Sequence, residues 1–250
     1  MGLTSIIIPT FQGLYLLREC VASIRSHTHS PYEIIVVDNG SDDGTLQYCR
    51  EENLMVISFP NNRGFPIAVN WGLRIAAGDH LLLLNNDIVV GPNWLDNMLA
   101  CLASSPDIGI VGPYTNYISG RQQRNPEYET IEGYQEAAAA YNKQDPGKYV
   151  TTERLVGFCM LFSRELMERI GLLDERYSPG HYEDDDYCYR ARKAGYRLMI
   201  SGDVIVHHHG SATFLKMDSK ERAHLVRESY KKFVDKWGFD PNSLIEEPST

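Results

Sequence analysis

The chain has 250 residues, 43% hydrophobic and 23% charged, an ordinary globular composition able to bury the core of one large α/β domain or two small ones. Its formal net charge of −9 argues against a nucleic-acid partner, which would need a basic face. No apolar run approaches the ~18 residues of a transmembrane helix, and Met1-Gly2-Leu3 leads straight into a strand, so neither membrane span nor signal peptide is expected. The five cysteines (Cys20, Cys49, Cys101, Cys159, Cys188) show no paired metal-ligand spacing. They read as reduced, buried thiols of a cytoplasmic protein, with room for peripheral attachment at the inner face of the membrane.

Ser5-Ile6-Ile7-Ile8-Pro9 is a β-branched run ended by proline and predicts a buried strand. Leu14, Leu17, Val21 and Ile24 recur at helical spacing, and the helix should end near His27–Pro31. A strand over Glu33–Val37 stops at Asp38, a helix follows over Gly44–Glu52, and a third strand spans Met55–Phe59. After the Asn61–Gly64 loop comes a helix over Ile67–Ala77, then Leu81–Leu84, whose four leucines suit a central strand buried on both faces. A helix over Trp94–Ala103 and a strand over Ile108–Val111 continue the alternation, which implies parallel strands and right-handed crossovers.

Regularity breaks in the turn-rich Pro113–Pro126 stretch, where Asn116, Ser119 and Gln122 are candidates to shape a pocket. One helix is expected within Tyr128–Gln144, a strand over Leu155–Phe162, a short helix over Glu165–Ile170 and a loop over Gly171–Gly180. A helix over Tyr187–Ala194 is closed by Gly195, where a left-handed residue costs little. Two short strands, Arg197–Ile200 and Val204–His207, precede a charged helix over Ser219–Trp237, and Pro241–Thr250 is expected to be disordered. With no internal repeat or linker, residues 1–240 read as one domain, with a ligand-binding half at 1–112 and a second half at 113–240.

Four polar clusters interrupt this pattern. Asn85-Asn86-Asp87 ends the leucine strand, the place where open α/β sheets hold ligands, and Asp87 is a hard oxygen donor suited to Mg or Mn. Glu183-Asp184-Asp185-Asp186 packs four carboxylates together, which raises at least one proton affinity toward that of a general base. His207-His208-His209 at a strand end offers a metal ligand. Asp38-Asn39-Gly40-Ser41 is a strand-end loop rather than a calcium loop, because the twelfth position of an EF-hand would fall on Cys49. The absence of a glycine fingerprint and of a phosphate-loop lysine disfavours dinucleotide oxidoreductases and P-loop NTPases.

In this order the motifs resemble those of the family-2 inverting glycosyltransferases of the GT-A fold, over nearly the whole chain from Ser5 to about Trp237. Ile8-Pro9-Thr10-Phe11 resembles the opening strand and donor loop, and Val36–Ser41 the segment whose aspartate, here Asp38, binds the nucleobase beside Asn39. Asn62-Arg63-Gly64-Phe65 with Asn70 and Gly72 is similar to the Asn-x-Gly-Phe-Ala stretch, with Pro66 in place of alanine. Asn85-Asn86-Asp87 occupies the Asp-x-Asp position with only its last acid, as in the rhamnosyltransferase-like branch. Glu183–Asp186 with Arg190 and Arg192 resembles the Glu-Asp-x-Asp motif, which assigns the base to Asp184 beside Glu183. The His-x-Gly stretch from His208 to Thr213 makes His208 the metal ligand and His207 the alternate.

The resemblance implies a Rossmann-like, mainly parallel α/β sheet flanked by helices, and transfer of a sugar from a UDP- or dTDP-type donor with Mn or Mg on the diphosphate. The acceptor would be a glycan, a lipid-linked molecule or a protein. A catalytically silent sugar-nucleotide-binding module is the competing reading, and intact Asp87 and Asp184 argue against it. A nucleotidyltransferase would need a basic glycine-rich loop where Thr10-Phe11-Gln12-Gly13 stands.

Overall fold

The four leucines pack as the sequence predicts. In the computed structural model, which describes residues 2–210 and 218–245, Leu82 and Leu84 face one side of the sheet and Leu81 and Leu83 the other, all buried. They belong to β4 (His80–Leu84), which pairs in parallel with β1 (Thr4–Thr10). Outward from β1 lie β2 (Tyr32–Asp38) and β3 (Met55–Ser58), both parallel, with α1 (Leu14–His27), α2 (Thr45–Glu51) and α3 (Phe65–Ile75) in the connections. Pro66 at the first turn of α3 costs no hydrogen bond there, so the helix starts two residues earlier than its apolar spacing indicates. Leu17, Val21 and Ile24 of α1 cover the Ile6–Ile8–Leu82 face, whereas Val69 and Leu73 of α3 cover Ile7 and Leu83. Each such buried side chain contributes ~1.5–3 kcal/mol relative to exposure.

The second half adds strands in an order that chain sequence does not reveal. After β5 (Ile88–Val89) and α4 (Trp94–Ala103), β6 (Ile108–Thr115) does not sit beside β4. Following α5 (Ile131–Tyr141) and β7 (Val150–Thr152), β8 (Cys159–Ser163) inserts between β4 and β6, antiparallel to both. The strand expected from Leu155 begins at Cys159, because residues 155–156 are irregular and 157–158 form a turn. Beyond α6 (Arg164–Ile170) and α7 (Glu183–Lys193), β9 (Arg197–His208) is one strand where two were expected. Its interruption is a bulge: Pro113 pairs with Ser201 but Tyr114 with Ile205, and a Cβ on Gly202 would lie 2.0 Å from the Lys148 carbonyl oxygen. The sheet runs β3-β2-β1-β4-β8-β6-β9-β5, with β7 on β9. It is a single α/β unit with a mainly parallel sheet.

α8 (Ser219–Trp237) is anchored by one buried carboxylate. Asp186, fully buried, accepts from Arg190 Nε at 2.9 Å, Lys236 Nζ at 2.5 Å and Trp237 Nε1 at 2.8 Å. The tail expected to be disordered starts with a 3₁₀ turn over Pro241–Leu244, in which both end residues are buried, and residues 246–250 lie outside the described residues. Leu244 joins Tyr177 and Phe233 in a small third core that holds this end down. Asp186→Ala would leave Arg190 without its buried carboxylate and Lys236 with Asp174 alone, and is expected to lower stability by ~3–5 kcal/mol in urea denaturation. A loss below ~1 kcal/mol would show that α8 does not depend on this carboxylate.

Candidate active site

The parallel strands β1, β2 and β4 all end at one edge, and their polar ends face a single cavity of about 820 Å³. That volume lies within the range typical of small-molecule sites. Pro9, Thr10 and Phe11 after β1, Asn39 after β2, and Asn85, Asn86 and Asp87 after β4 line it, together with Asn62 and Gly64. Thr10 Oγ1 accepts from Asn86 Nδ2 at 2.8 Å, which ties the β1 end to the β4 end. Asn39 accepts from Arg63 N at 3.2 Å and donates to the Gly64 carbonyl at 3.3 Å, fixing the 61–64 loop. Gly64 has φ of +91°, and a Cβ there would lie 2.6 Å from Pro179 Cα, so only glycine lets this loop approach residues 178–181.

Two residues expected at the ligand stand behind the wall. Asp38 does not line the cavity: its carboxylate accepts from Ser41 N and Ser58 Oγ, each at 3.0 Å. Asn70 is also off the wall, its amide bonded to Leu173 N and O at 2.9 and 2.8 Å and to Glu175 at 3.0 Å. Each braces a loop instead. Of the three pocket candidates in the irregular stretch, Ser119 lines the cavity. Gln122 braces residue 156 through a 2.8 Å bond, and Asn116 clamps the His208 backbone on both N–H and C=O at 2.7 and 3.1 Å.

That clamp serves the most unusual contact in the site. The short β5 strand pairs Ile88 with His208, which brings buried Asp87 beside buried His208. Asp87 Oδ1 lies 3.2 Å from His208 Nε2, and neither atom has a hydrogen-bond partner among the described residues. His208 Nδ1 lies 2.8 Å from the Tyr117 carbonyl oxygen, which can only accept, so Nδ1 carries a ring proton and, in the neutral ring, Nε2 presents a lone pair. Phe158 stacks on the ring at 5.6 Å. A carboxylate and an imidazole thus face each other across a buried gap, an arrangement that a shared proton or a bound cation would satisfy.

His207, the alternate ligand, points to the opposite face, as strand alternation requires. It bonds to Tyr128 Oη at 2.7 Å and packs on Tyr134. Burial and the adjacent histidines hold it neutral, with a pKa lowered to about 4. It does not line the cavity, so the structure leaves His208 alone with Asp87. His209 bonds Glu19 at 2.7 Å, and Ser211–Thr213 of the His-x-Gly stretch lie outside the described residues.

The acidic quartet forms the first turn of α7, four residues before the helix start expected from sequence, where the helix dipole favours carboxylates. Its members have separate partners. Asp186 holds α8, and Asp185, 2% exposed, pairs with Arg154 Nε. Asp184 accepts from Gly157 N at 3.0 Å through Oδ2 and from Asp185 N at 2.9 Å through Oδ1, and it lines the cavity half-buried. Glu183 lines it too, with a buried Oε2 that has no hydrogen-bond partner. Burial and the Asp184 charge push Glu183 well above the ordinary carboxylate range, so it takes the proton while Asp184 faces the cavity. His181 and Tyr182, at φ +73° and +68°, make the left-handed turn that presents this helix end.

Sequence reasoning missed Phe158, Tyr117 and Arg154, which line the cavity from the 117–123 and 154–158 segments, and Val226, Asn242 and Ile245 from the C-terminal end. Their only advance signal is position after a strand or within an irregular stretch.

Residues 5–171 match the model of the family described as Glycosyl transferase family 2. The chain is 27% identical over 270 residues to the y4gI protein of Sinorhizobium fredii, covering 98% of this chain and 29% of that protein. It is 28% identical over 225 residues to the O-antigen biosynthesis protein RfbC of Myxococcus xanthus, covering 84% of this chain and 17% of that protein. The chain thus spans under a third of the length of both relatives. Among solved structures, a mannosyltransferase from Pyrobaculum calidifontis in complex with GDP-Man and Mn2+ superposes with a TM-score of 0.67 at 22% identity, covering 96% of this chain and 67% of that one. That likeness identifies the GT-A fold.

Proposed function

The chain belongs to glycosyl transferase family 2, and from that premise we propose that it transfers a sugar, with inversion, from a UDP- or dTDP-type nucleotide sugar to an acceptor hydroxyl. The observation that carries this reading is the pair of unpartnered acceptors, Asp87 Oδ1 and His208 Nε2, in the same cavity as Asp184. The carboxylate oxygen suits Mn or Mg and the imidazole nitrogen favours Mn of the two, so a divalent ion fits this gap. Asp87 and His208 would hold it, and when bound it would supply Lewis-acid neutralisation of the diphosphate leaving group. No group of three His, Cys, Asp or Glu residues able to hold a metal exists among the described residues, so donor phosphate or water must complete the coordination.

The protein's own residues divide the remaining work. The loops carrying Thr10, Phe11, Asn39 and Asn62 bind the nucleoside, with Asp38 fixing the turn after β2 from behind and Asn70 bracing residues 173–175. Asp184, aimed by the Gly157 N–H, takes the proton of the acceptor hydroxyl as that oxygen attacks the anomeric carbon opposite the diphosphate. One displacement inverts the centre without a second carboxylate nucleophile, and holding both substrates in register supplies much of the rate. Glu183, kept protonated, offers a hydrogen bond to a sugar hydroxyl. Residues 1–112 serve as the donor half and 113–240 as the acceptor half. The acceptor is a glycan, lipid-linked molecule or protein, met in the cytoplasm or at the inner membrane face. No helix among the described residues is long and apolar enough to cross a membrane.

Mn2+ titration followed by electron paramagnetic resonance tests this site. With two protein ligands, the free protein is expected to bind Mn2+ weakly and to bind it at least tenfold more tightly once a nucleoside diphosphate is present. A tight Mn2+ site in the nucleotide-free protein would contradict the two-ligand assignment.

A further inference from the structure

Arg154 is the only lysine or arginine among the described residues that line the cavity. Its Nε donates to Asp185 Oδ1, and its side chain is only 14% exposed. Its two terminal nitrogens donate to no described residue, although a guanidinium carries five donors in a fixed planar fork. The side chain belongs to the wall built from residues 118–123 and 154–158, on the β6–β8 side, whereas the strand ends read as the nucleoside site come from β1 and β2. Its neighbour along that wall, Gly157, orients Asp184.

We infer that Arg154 is an acceptor-positioning residue: its free Nη atoms hold neighbouring hydroxyls of a neutral saccharide so that one hydroxyl meets Asp184. This rests on the proposed transferase reading and narrows its acceptor. Charge decides the class of ligand. Asp185 already offsets the guanidinium, and Asp184 must be ionised to act as base, so the wall has no net positive charge for a phosphate or a uronate. A pair of sugar hydroxyls suits the planar fork and adds no charge, and hydrogen bonds from a charged donor are the strong kind. The ion pair also fixes the fork before substrate arrives, which lowers the ordering cost of binding.

Methyl glycosides of glucose, galactose, mannose and rhamnose, and methyl glucuronide, are titrated calorimetrically into the full chain with Mn2+, with and without UDP. Three proteins are compared: wild type, Arg154→Lys, and Arg154→Met/Asp185→Asn, the last removing the fork without leaving a buried unpaired carboxylate. At least one neutral glycoside is expected to bind wild type, at least tenfold more weakly the double variant, and with intermediate affinity Arg154→Lys. The glucuronide should bind wild type more weakly than the glucoside, and UDP affinity should stay within about threefold in all three proteins. Equal glycoside affinity in all three, no binding of any neutral glycoside, or preference for the glucuronide would overturn the assignment. Failure of UDP alone to bind wild type would instead count against the proposed donor, because the glycoside comparison is also made without nucleotide.

Discussion

Asp184→Asn is expected to lower turnover by ~10²–10⁴-fold, the contribution usual for a positioned general base, while nucleotide-sugar affinity stays within a few-fold of wild type. Asparagine keeps one side-chain oxygen to accept from Gly157 N, so the turn and the cavity wall should survive the change. What it removes is the site that takes the acceptor proton. None of the three neighbouring acids can substitute. Asp185 is committed to Arg154 and Asp186 to Arg190, Lys236 and Trp237, and Glu183 is held protonated by burial beside Asp184. Release of nucleoside diphosphate in single-turnover mixtures, paired with calorimetric donor titration, separates the two effects. Turnover within tenfold of wild type would remove Asp184 from the role of base.

Asp87→Ala and His208→Ala are each expected to abolish the Mn2+-dependent part of donor affinity and to reduce turnover by ~100-fold or more, since loss even of a group supporting a metal ligand costs 10–100-fold. The double variant should be little worse than either single one, because both residues act through one shared ion. His207→Ala supplies the contrast. Its ring lies among Tyr128 and Tyr134 on the other face of β9, so metal dependence should persist in that variant. Additive losses in the double variant, or loss of metal dependence in His207→Ala, would refute the Asp87–His208 assignment.

Much of this site was legible in the sequence because it sits where uninterrupted β-branched and leucine runs give way to polar residues. Asn85-Asn86-Asp87 announced itself in that way, and the 183–186 acids by the crowding of four consecutive carboxylates. Long-range pairing was not legible. Nothing local shows that β8 inserts antiparallel between β4 and β6, or that the two-residue β5 pairs with β9 and so carries Asp87 to His208. The choice between His207 and His208 needed the parity of β9. Val204 and Val206 alternate onto one face and His208 follows them, but the bulge at residues 201–205 breaks any count begun at Leu198. Asp38 and Asn70 were singled out as ligand contacts, yet Asp38 accepts from Ser41 N and Ser58 Oγ, and Asn70 bonds the Leu173 backbone and Glu175. A motif fixes that a residue matters, whereas its hydrogen-bond partners fix what it touches.

The most direct test is a binding screen of UDP-, dTDP- and GDP-sugars, with and without Mn2+, on the unmodified chain. At least one pyrimidine nucleotide sugar should bind, and Mn2+ should tighten it at least tenfold through Asp87 and His208. If no nucleotide sugar binds, or binding is indifferent to the metal, the proposed donor site is wrong.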